Sequence, residues 1–391
     1  MASSLAAVEC KANAPLANGG RWAEAAVFEG AGLPLALRRF PVPSAPAGGM
    51  VCRVRLATIC GSDLHTINGR RVEPCPSILG HEIVGEVLEM GQGLEVDARG
   101  RALEVGDRVT WSIGTHCGYC ARCKRGLPQK CVSLRKYGHS ALSAGEALSG
   151  GYAEVIVLRA GTTFLRLDDE MLDAEAAPAN CAYATAMQAV EQSGLVKGES
   201  AWVQGAGLLG LAAVAICRSR GAREVWVSDP HEERLRLAPV WGATEVFTVP
   251  GGKEWAARRE CLEAATAGEG VDVVIQACGC SEAAEQGLEV LALGGRLVLV
   301  GLVTSHCTVR VQGRALVQGC QTVSGIHNYR PEHLAQALDF IGANRDRVPF
   351  AGAVGRTFAL REANEAMEAA ATGNWLRVGI APGAASGNRQ S

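Results

Sequence analysis

Between residues 22 and 157 apolar and polar positions alternate in short runs. VCRVRLATIC at 51–60 and IVGEVLEM at 83–90 show the period of two that a half-buried strand requires; DRVTWSI at 107–113 follows a Gly106-Asp107 turn, and AEVIVL at 153–158 closes the series. Gly and Pro punctuate every few residues, so this part is predicted to be an irregular, mostly antiparallel β domain whose loops carry the chemistry. After Asp168 the texture changes. Residues 172–193 fit a helix interrupted by Pro178. From Ser200 short β runs alternate with helical segments: AWVQGAG, LLGLAAVAICRSRG, EVWVSD, HEERLRLAPVWG, EVFTV, a helix over 255–265, VDVVIQACG, a helix over 281–291, and RLVLVG. That repetition predicts an α/β unit with a parallel sheet covered by helices on both faces. A β run at 322–325, helices over 332–341 and 360–371, and a final RVGIAP follow, and from about Asn328 the chain is expected to rejoin the first domain. Residues 1–20 and 383–391 are small and polar and are expected to fray.

The length of 391 residues favours two domains over one core. A formal net charge of −2 gives no electrostatic reason to expect nucleic acid or an anionic membrane as partner. The longest apolar run, 208–217, is far below the roughly twenty residues of a membrane span, and no secretory leader is read at the N-terminus. A cytoplasmic protein is expected. Fifteen cysteines, four of them within 117–131, favour metal binding and free thiols over a disulfide framework.

The chemistry concentrates in residues 60–82. Cys60 and His81 are ligands of the kind zinc prefers, and a catalytic zinc needs only three protein ligands. Asp63 and Glu82 stand close enough to support a ligand imidazole, while Ser62 and His65 supply a hydroxyl and a titratable ring for a proton path. Taken alone, a buried Cys is as readily a small hydrophobe, and Cys181 has the same bland reading. In HCGYCARCKRGLPQKC, Cys117, Cys120, Cys123 and Cys131 have the spacing C-x2-C-x2-C-x7-C, which can close a structural tetrahedral zinc shell. An iron–sulfur cluster uses similar spacings.

Gly205, Gly207 and Gly210, with Leu208 and Leu209 between the last two, form G-x-G-x-x-G after a β run and at the start of an apolar helix. Asp229 ends the next β run. This is the context of a dinucleotide site, with pyrophosphate at the helix N-terminus and the carboxylate on the adenosine ribose. A carboxylate there repels a 2′-phosphate, favouring NAD over NADP; Arg234 and Arg236 are expected to face solvent.

CGSDLH at 60–65, GHE at 80–82, GDRV at 106–109, the four-cysteine segment, GGYAE at 150–154 and the glycine turn with Asp229 together resemble the zinc-containing alcohol dehydrogenases of the medium-chain dehydrogenase/reductase family. The resemblance implies a GroES-like catalytic domain over 1–181 and 328–391, a Rossmann NAD-binding domain over 182–327, two zincs per chain, and a dimer or tetramer of identical chains. It implies that Cys60, His81 and Cys181 hold the catalytic zinc, although polyol-dehydrogenase relatives use a glutamate near the third position and Glu175 is a poorer match. It also implies that an alcohol loses its proton on zinc and passes hydride to nicotinamide, the proton leaving through Ser62, the cofactor ribose and His65. Asp63 would support His81, and Glu82 would lie behind the metal. Gln276 replaces an acidic residue of many relatives, and 97–102 reads as a surface insertion. Arg70 and Arg71 are candidates for an anionic substrate group, in keeping with a similarity to the branch associated with phosphonate catabolism. A polyol or amino-alcohol dehydrogenase is the alternative within the family. A non-catalytic zinc protein would be expected to have lost a ligand, and none of these is lost.

Overall fold

In the computed structural model, described over residues 21–143, 146–248, 253–303 and 307–384, the alternating runs of the N-terminal part pair into two sheets. Of the segments expected to fray, 1–20 and 383–391, only exposed Gly383 and Ala384 fall within the described residues, and the rest lie outside them. The elements are β1 (Trp22–Phe28), β2 (Ala36–Pro41), β3 (Met50–Thr58), α1 (Gly61–Ile67), β4 (Ser77–Ile78), β5 (Glu82–Met90), β6 (Arg108–Trp111), α2 (Ala121–Lys124), β7 (Val155–Leu158) and β8 (Phe164–Arg166). Pro178 divides the next predicted helix into α3 (Asp173–Ala176), a 3-10 turn (Ala177–Asn180) and α4 (Ala182–Ser193).

Next come β9 (Ser200–Gln204), α5 (Leu208–Ser219), β10 (Glu224–Ser228), α6 (Glu232–Leu235), β11 (Glu245–Phe247), α7 (Lys253–Ala265), β12 (Val271–Gln276), α8 (Ser281–Glu289), β13 (Leu291–Leu299), α9 (Gly313–Gln318) and β14 (Thr322–Gly325). The chain ends with α10 (Pro331–Asn344), β15 (Val354–Phe358), α11 (Ala363–Ala371) and β16 (Arg377–Ile380).

Strands β11-β10-β9-β12-β13-β14 form one parallel sheet of the Rossmann type, as the βαβ repetition predicts. Strands β15-β16-β3-β5-β6-β8, with β7 on β3, form the GroES-like sheet, antiparallel except for the β15–β16 pair. Here β16, from the end of the chain, pairs with β3, and this brings the last strand beside the segment that begins at Cys60. Helix α5 is buried along most of its length because it lies between the parallel sheet and α4. Burying side chains such as Leu211, Val214 and Ile216 contributes roughly 1.5–3 kcal/mol each. Among the described residues no helix is long and apolar enough to cross a membrane.

One boundary is corrected. Leu291 opens β13 instead of ending the preceding helix, because α8 stops at Glu289 and pairing with β12 begins at Leu291, opposite Val271. The 97–102 segment lies at the surface as expected, with four of its six residues exposed, and is tied down at its start. Asp97 is buried and accepts from the backbone N–H groups of Arg99, Arg101 and Arg166, while Arg99 reaches across to Asp339 and the carbonyl of Ala335 on α10.

Candidate active site

Cys60 caps α1 in an extended conformation, and the carboxylate of Asp63, three residues on, accepts the Cys60 backbone N–H at 2.9 Å. The cap directs the thiol toward the start of β5, where His81 and Glu82 stand. Cys181 follows the Pro178 break, at φ −137° and ψ −80°, so its side chain leaves the helical path. The result is a cluster in which one ligand atom each of Cys60, His81, Glu82 and Cys181 lies within 4.8 Å of the others. The two sulfurs are 4.0 Å apart, and Ser62 Oγ is 3.5 Å from His81 Nε2. His65, on the same helix, is exposed.

His81 Nδ1 lies 3.4 Å from Asp63 Oδ1, and neither buried atom has another partner. This juxtaposition puts a ring proton on Nδ1, facing the carboxylate, and turns the Nε2 edge toward Ser62 and the thiols. Burial opposes an imidazolium here, but the Asp63 carboxylate and Cys60 outweigh it and raise His81 well above its ordinary range. Tyr152 donates its hydroxyl to Asp63 Oδ2 at 3.1 Å. Gly80 precedes the histidine at φ +88°, and a Cβ there would meet the Tyr152 ring at 2.7 Å; only glycine lets that ring close over the site.

Of the two thiols, Cys60 ionises first. A hydrogen bond from Cys181 lowers it, against burial and with help from Arg377, whose Nη2 is 3.9 Å from the sulfur. Cys181 is correspondingly raised. Glu82 is fully buried and held by Thr58 Oγ1 at 2.5 Å and by Arg377 at 2.6 and 2.8 Å. Glu175 instead accepts the backbone N–H of Leu172 at 2.9 Å and lies near Arg345, occupied in capping α3.

The second thiol cluster joins Cys117, Cys120, Cys123 and Cys131, with sulfur–sulfur distances of 3.5, 3.5, 4.0 and 4.0 Å. A tetrahedron built on Zn–S bonds of about 2.3 Å has edges of roughly 3.8 Å, so a single ion fits. An iron–sulfur cluster puts several metal atoms between its cysteines and requires wider spacing. Backbone N–H groups of Cys123 and Val132 lower Cys120 to about 6.

At the glycine turn, Gly205 has φ +114° and Gly210 packs so closely that a Cβ would meet the Gly205 carbonyl at 1.8 Å. Gly207 caps α5, and Leu208 lines a cleft with Gly61, Trp375 and Arg377, whereas Leu209 packs against the core. Asp229 accepts the backbone N–H groups of Ala206 and His231 at 2.8 and 2.9 Å and also lines a second cavity over the strand ends. Arg234 borders both hollows, contrary to the solvent-facing expectation, because the short α6 turns it back over the glycine turn; Arg236 is exposed and paired with Glu233. Gln276 has a physical account too. Its amide donates to the carbonyls of Cys278 and Cys280 and accepts from the Gly301 N–H, tying together loops beside the cavity in a way a carboxylate could not.

Arg70 is exposed, and Arg71 is half-buried and paired with Glu73 at 2.5 Å. Sequence reasoning did not find Thr58, Tyr152 and Arg377. The available signal for Arg377 was a lone arginine opening an otherwise apolar strand.

The alcohol dehydrogenase GroES-like domain profile matches residues 46–169, and the zinc-binding dehydrogenase profile matches residues 209–343. The 5-exo-hydroxycamphor dehydrogenase of Pseudomonas putida is 29% identical over 86% of this chain and 92% of that protein. The L-threonine 3-dehydrogenase of Pyrococcus furiosus is 34% identical over 68% of this chain and 72% of that protein. Among solved structures, an alcohol dehydrogenase of Thermotoga maritima superposes with a TM-score of 0.87 at 31% identity, covering 93% of this chain and all of that one.

Proposed function

The chain belongs to the zinc-containing alcohol dehydrogenases of the medium-chain dehydrogenase/reductase family, and on that premise we propose that it transfers hydride reversibly between a small alcohol and NAD. Cys60, His81 and Cys181 hold the catalytic zinc, and Cys117, Cys120, Cys123 and Cys131 the structural one. The observation that carries this reading is the convergence of two thiols and one tautomer-fixed imidazole from three separate segments. When bound, zinc supplies a Lewis acid that makes a hydroxyl more acidic, and NAD supplies the hydride acceptor.

Ser62 Oγ, beside the His81 Nε2 edge, takes the hydroxyl proton, and His65, three residues on along α1, passes it toward solvent. Asp63 and Tyr152 keep His81 in its ligating tautomer. Arg377 lowers Cys60 and balances the Glu82 charge behind the cluster. Gly205, Gly207 and Gly210 bring the backbone N–H groups at the start of α5, including those of Leu208 and Leu209, to the pyrophosphate. Arg234 adds a cation there, while Asp229 selects a free ribose hydroxyl, hence NAD over NADP. The substrate carries an anionic group. Arg71 supports this through its half-buried position; Arg70, exposed, offers less. A homo-oligomer is in keeping with the outer edge of β14, which ends the parallel sheet.

The threonine dehydrogenase relatives favour a second reading, an amino-alcohol dehydrogenase using the same zinc chemistry. Zinc content per chain, measured beside NAD reduction on a panel of neutral, amino and anionic alcohols, tests both. Two zincs, with turnover lost in Cys60→Ser, are expected. One zinc and no turnover on any alcohol would overturn the assignment.

A further inference from the structure

Cys181 has a backbone conformation that belongs neither to the 3-10 turn before it nor to α4 after it, so the direction of its sulfur depends on what holds the flanking peptides. On one side its carbonyl accepts the Thr185 N–H at 3.0 Å, in the first turn of α4. On the other side the Cys181 N–H reaches the Pro178 carbonyl at 3.2 Å, and the Asn180 carbonyl accepts the hydroxyl of Tyr329 at 2.5 Å. Both polar groups of the Asn180–Cys181 peptide are thus held, and its plane is fixed. Asn180 is fully buried, and among the described residues neither atom of its side-chain amide has a hydrogen-bond partner, so its backbone is what anchors it.

Tyr329 stands 149 positions downstream of Asn180, between β14 and α10. Asn328 before it takes a left-handed φ of +56°, which asparagine tolerates better than most residues. Arg330 after it fastens its N–H to Gln188 Oε1 at 2.9 Å and its guanidinium to Glu191 at 2.5 Å, both on α4. Held at both neighbours, the tyrosine is 2% exposed. Its hydroxyl also accepts the Ile113 N–H at 3.0 Å, and the Ile113 carbonyl accepts the Tyr137 N–H at the same distance. Burial pushes the phenol well above its ordinary range, so it keeps the proton it donates.

A buried polar chain results, from the Ile113 N–H through the Tyr329 hydroxyl to the Asn180 carbonyl, in which each bond polarises the next. It runs from the β domain to the residue before Cys181. The two sulfurs of Cys60 and Cys181, 4.0 Å apart, already stand near the roughly 3.8 Å edge of a zinc–thiolate tetrahedron. A phenylalanine at position 329 keeps the ring and its packing but leaves the Asn180 carbonyl and the Ile113 N–H buried without this partner. The Asn180–Cys181 peptide is then free to turn, and the sulfur turns with it.

We propose that Tyr329 is a positioning residue for the catalytic metal: through the Asn180–Cys181 peptide its hydroxyl sets where the Cys181 sulfur stands against Cys60 and His81. This rests on the zinc dehydrogenase reading above and adds to it a residue that touches neither metal nor substrate.

The test uses the full chain with cobalt(II) at the three-ligand site and zinc kept in the four-cysteine segment, because the visible absorption of a cobalt–thiolate centre reports its geometry. Tyr329→Phe should bind that cobalt about tenfold to a hundredfold more weakly, measured by competition with a chelator, and shift its absorption. kcat should fall while the KM for NAD stays near the wild-type value. Leu297→Ala, in the separate core around Trp202 and Trp226, controls for lost stability: it should lower the unfolding temperature and leave the cobalt spectrum unchanged. Coupling between two sites is reciprocal, so removing the catalytic metal from the wild type should speed hydrogen exchange at the Ile113 N–H. Unchanged affinity and spectrum in Tyr329→Phe, or a spectrum shifted equally by Leu297→Ala, overturns the role of Tyr329 and leaves the dehydrogenase reading standing. Should Tyr329→Phe not fold, Ile113 exchange that ignores the metal overturns it alone. Weakened cobalt and a shifted spectrum in a chain that oxidises no alcohol uphold the role of Tyr329 and overturn the dehydrogenase reading.

Discussion

Arg377 and Glu82, 295 positions apart in the chain, meet in a two-pronged ion pair at 2.6 and 2.8 Å, directly behind the Cys60, His81 and Cys181 cluster. Removing one partner of such a buried pair leaves the other charge uncompensated and costs about 3–5 kcal/mol. Arg377→Ala should lose stability on that scale and lose catalytic zinc, because Cys60 also loses the cation that lowers it. Thermal unfolding with metal analysis reads both. Normal zinc content in the variant would count against this account.

Cys181 and Glu175 are the two candidates for the third ligand position; the Cys181 sulfur lies 4.0 Å from that of Cys60, while Glu175 accepts the Leu172 N–H. Cys181→Ser should lower kcat by roughly a thousandfold or more and halve the zinc content. Glu175→Gln weakens the α3 cap and should cost about 0.5–2 kcal/mol with little effect on kcat. Steady-state rates of the two variants decide.

For the four-cysteine segment, Cys120→Ser is expected to remove one zinc per chain and lower the unfolding temperature. The other zinc should stay, since the two clusters share no ligand. Loss of both ions would show that the clusters depend on each other.

Gln276→Glu replaces an amide donor with an acceptor facing the carbonyls of Cys278 and Cys280. Each buried polar group left unpaired costs about 1–3 kcal/mol. The loops border the cavity that Asp229 also lines, so the KM for NAD should rise about tenfold or more while the KM for alcohol changes less. An unchanged KM for NAD would rule this out.

Asp97 gives a pH signature remote from the metal. Burial would raise its carboxyl, but backbone N–H groups of Arg101, Arg166 and Arg99 and the Arg101 side chain hold it below the usual carboxylate range. A depressed carboxyl stabilises the fold above the unfolded pKa of about 3.9, and that stability is lost as pH falls through the folded value. Asp97→Asn should therefore destabilise by about 1.5–3 kcal/mol at pH 7, with the difference shrinking as pH drops below about 4. Denaturant titrations at pH 7 and in acid measure it; a difference that persists in acid would contradict the cause.

The βαβ alternation, the glycine turn and the four-cysteine spacing were legible because each is local: strand period, turn requirement and ligand spacing are consequences of covalent neighbours. The break at Pro178 belongs to the same class, whereas the helix from Gly61, with Asp63 accepting the Cys60 N–H, was not read from the sequence. The loop of 97–102 was legible as a surface segment, but its polar composition gives no sign that Asp97 is enclosed by three backbone N–H groups, one of them 69 residues away.

By itself, then, the sequence determined which side chains have the chemistry for metal and dinucleotide and roughly which elements bear them. Tertiary structure alone decided that Cys181 and not Glu175 faces Cys60, that Arg377 stands against Cys60 and Tyr152 against Asp63, that Arg234 borders the hollows at the glycine turn, and that Lys130 meets His327. The physical reason is that these contacts join residues tens to hundreds of positions apart. Their partners are chosen by which strands pair and which faces pack, and no local period records that choice.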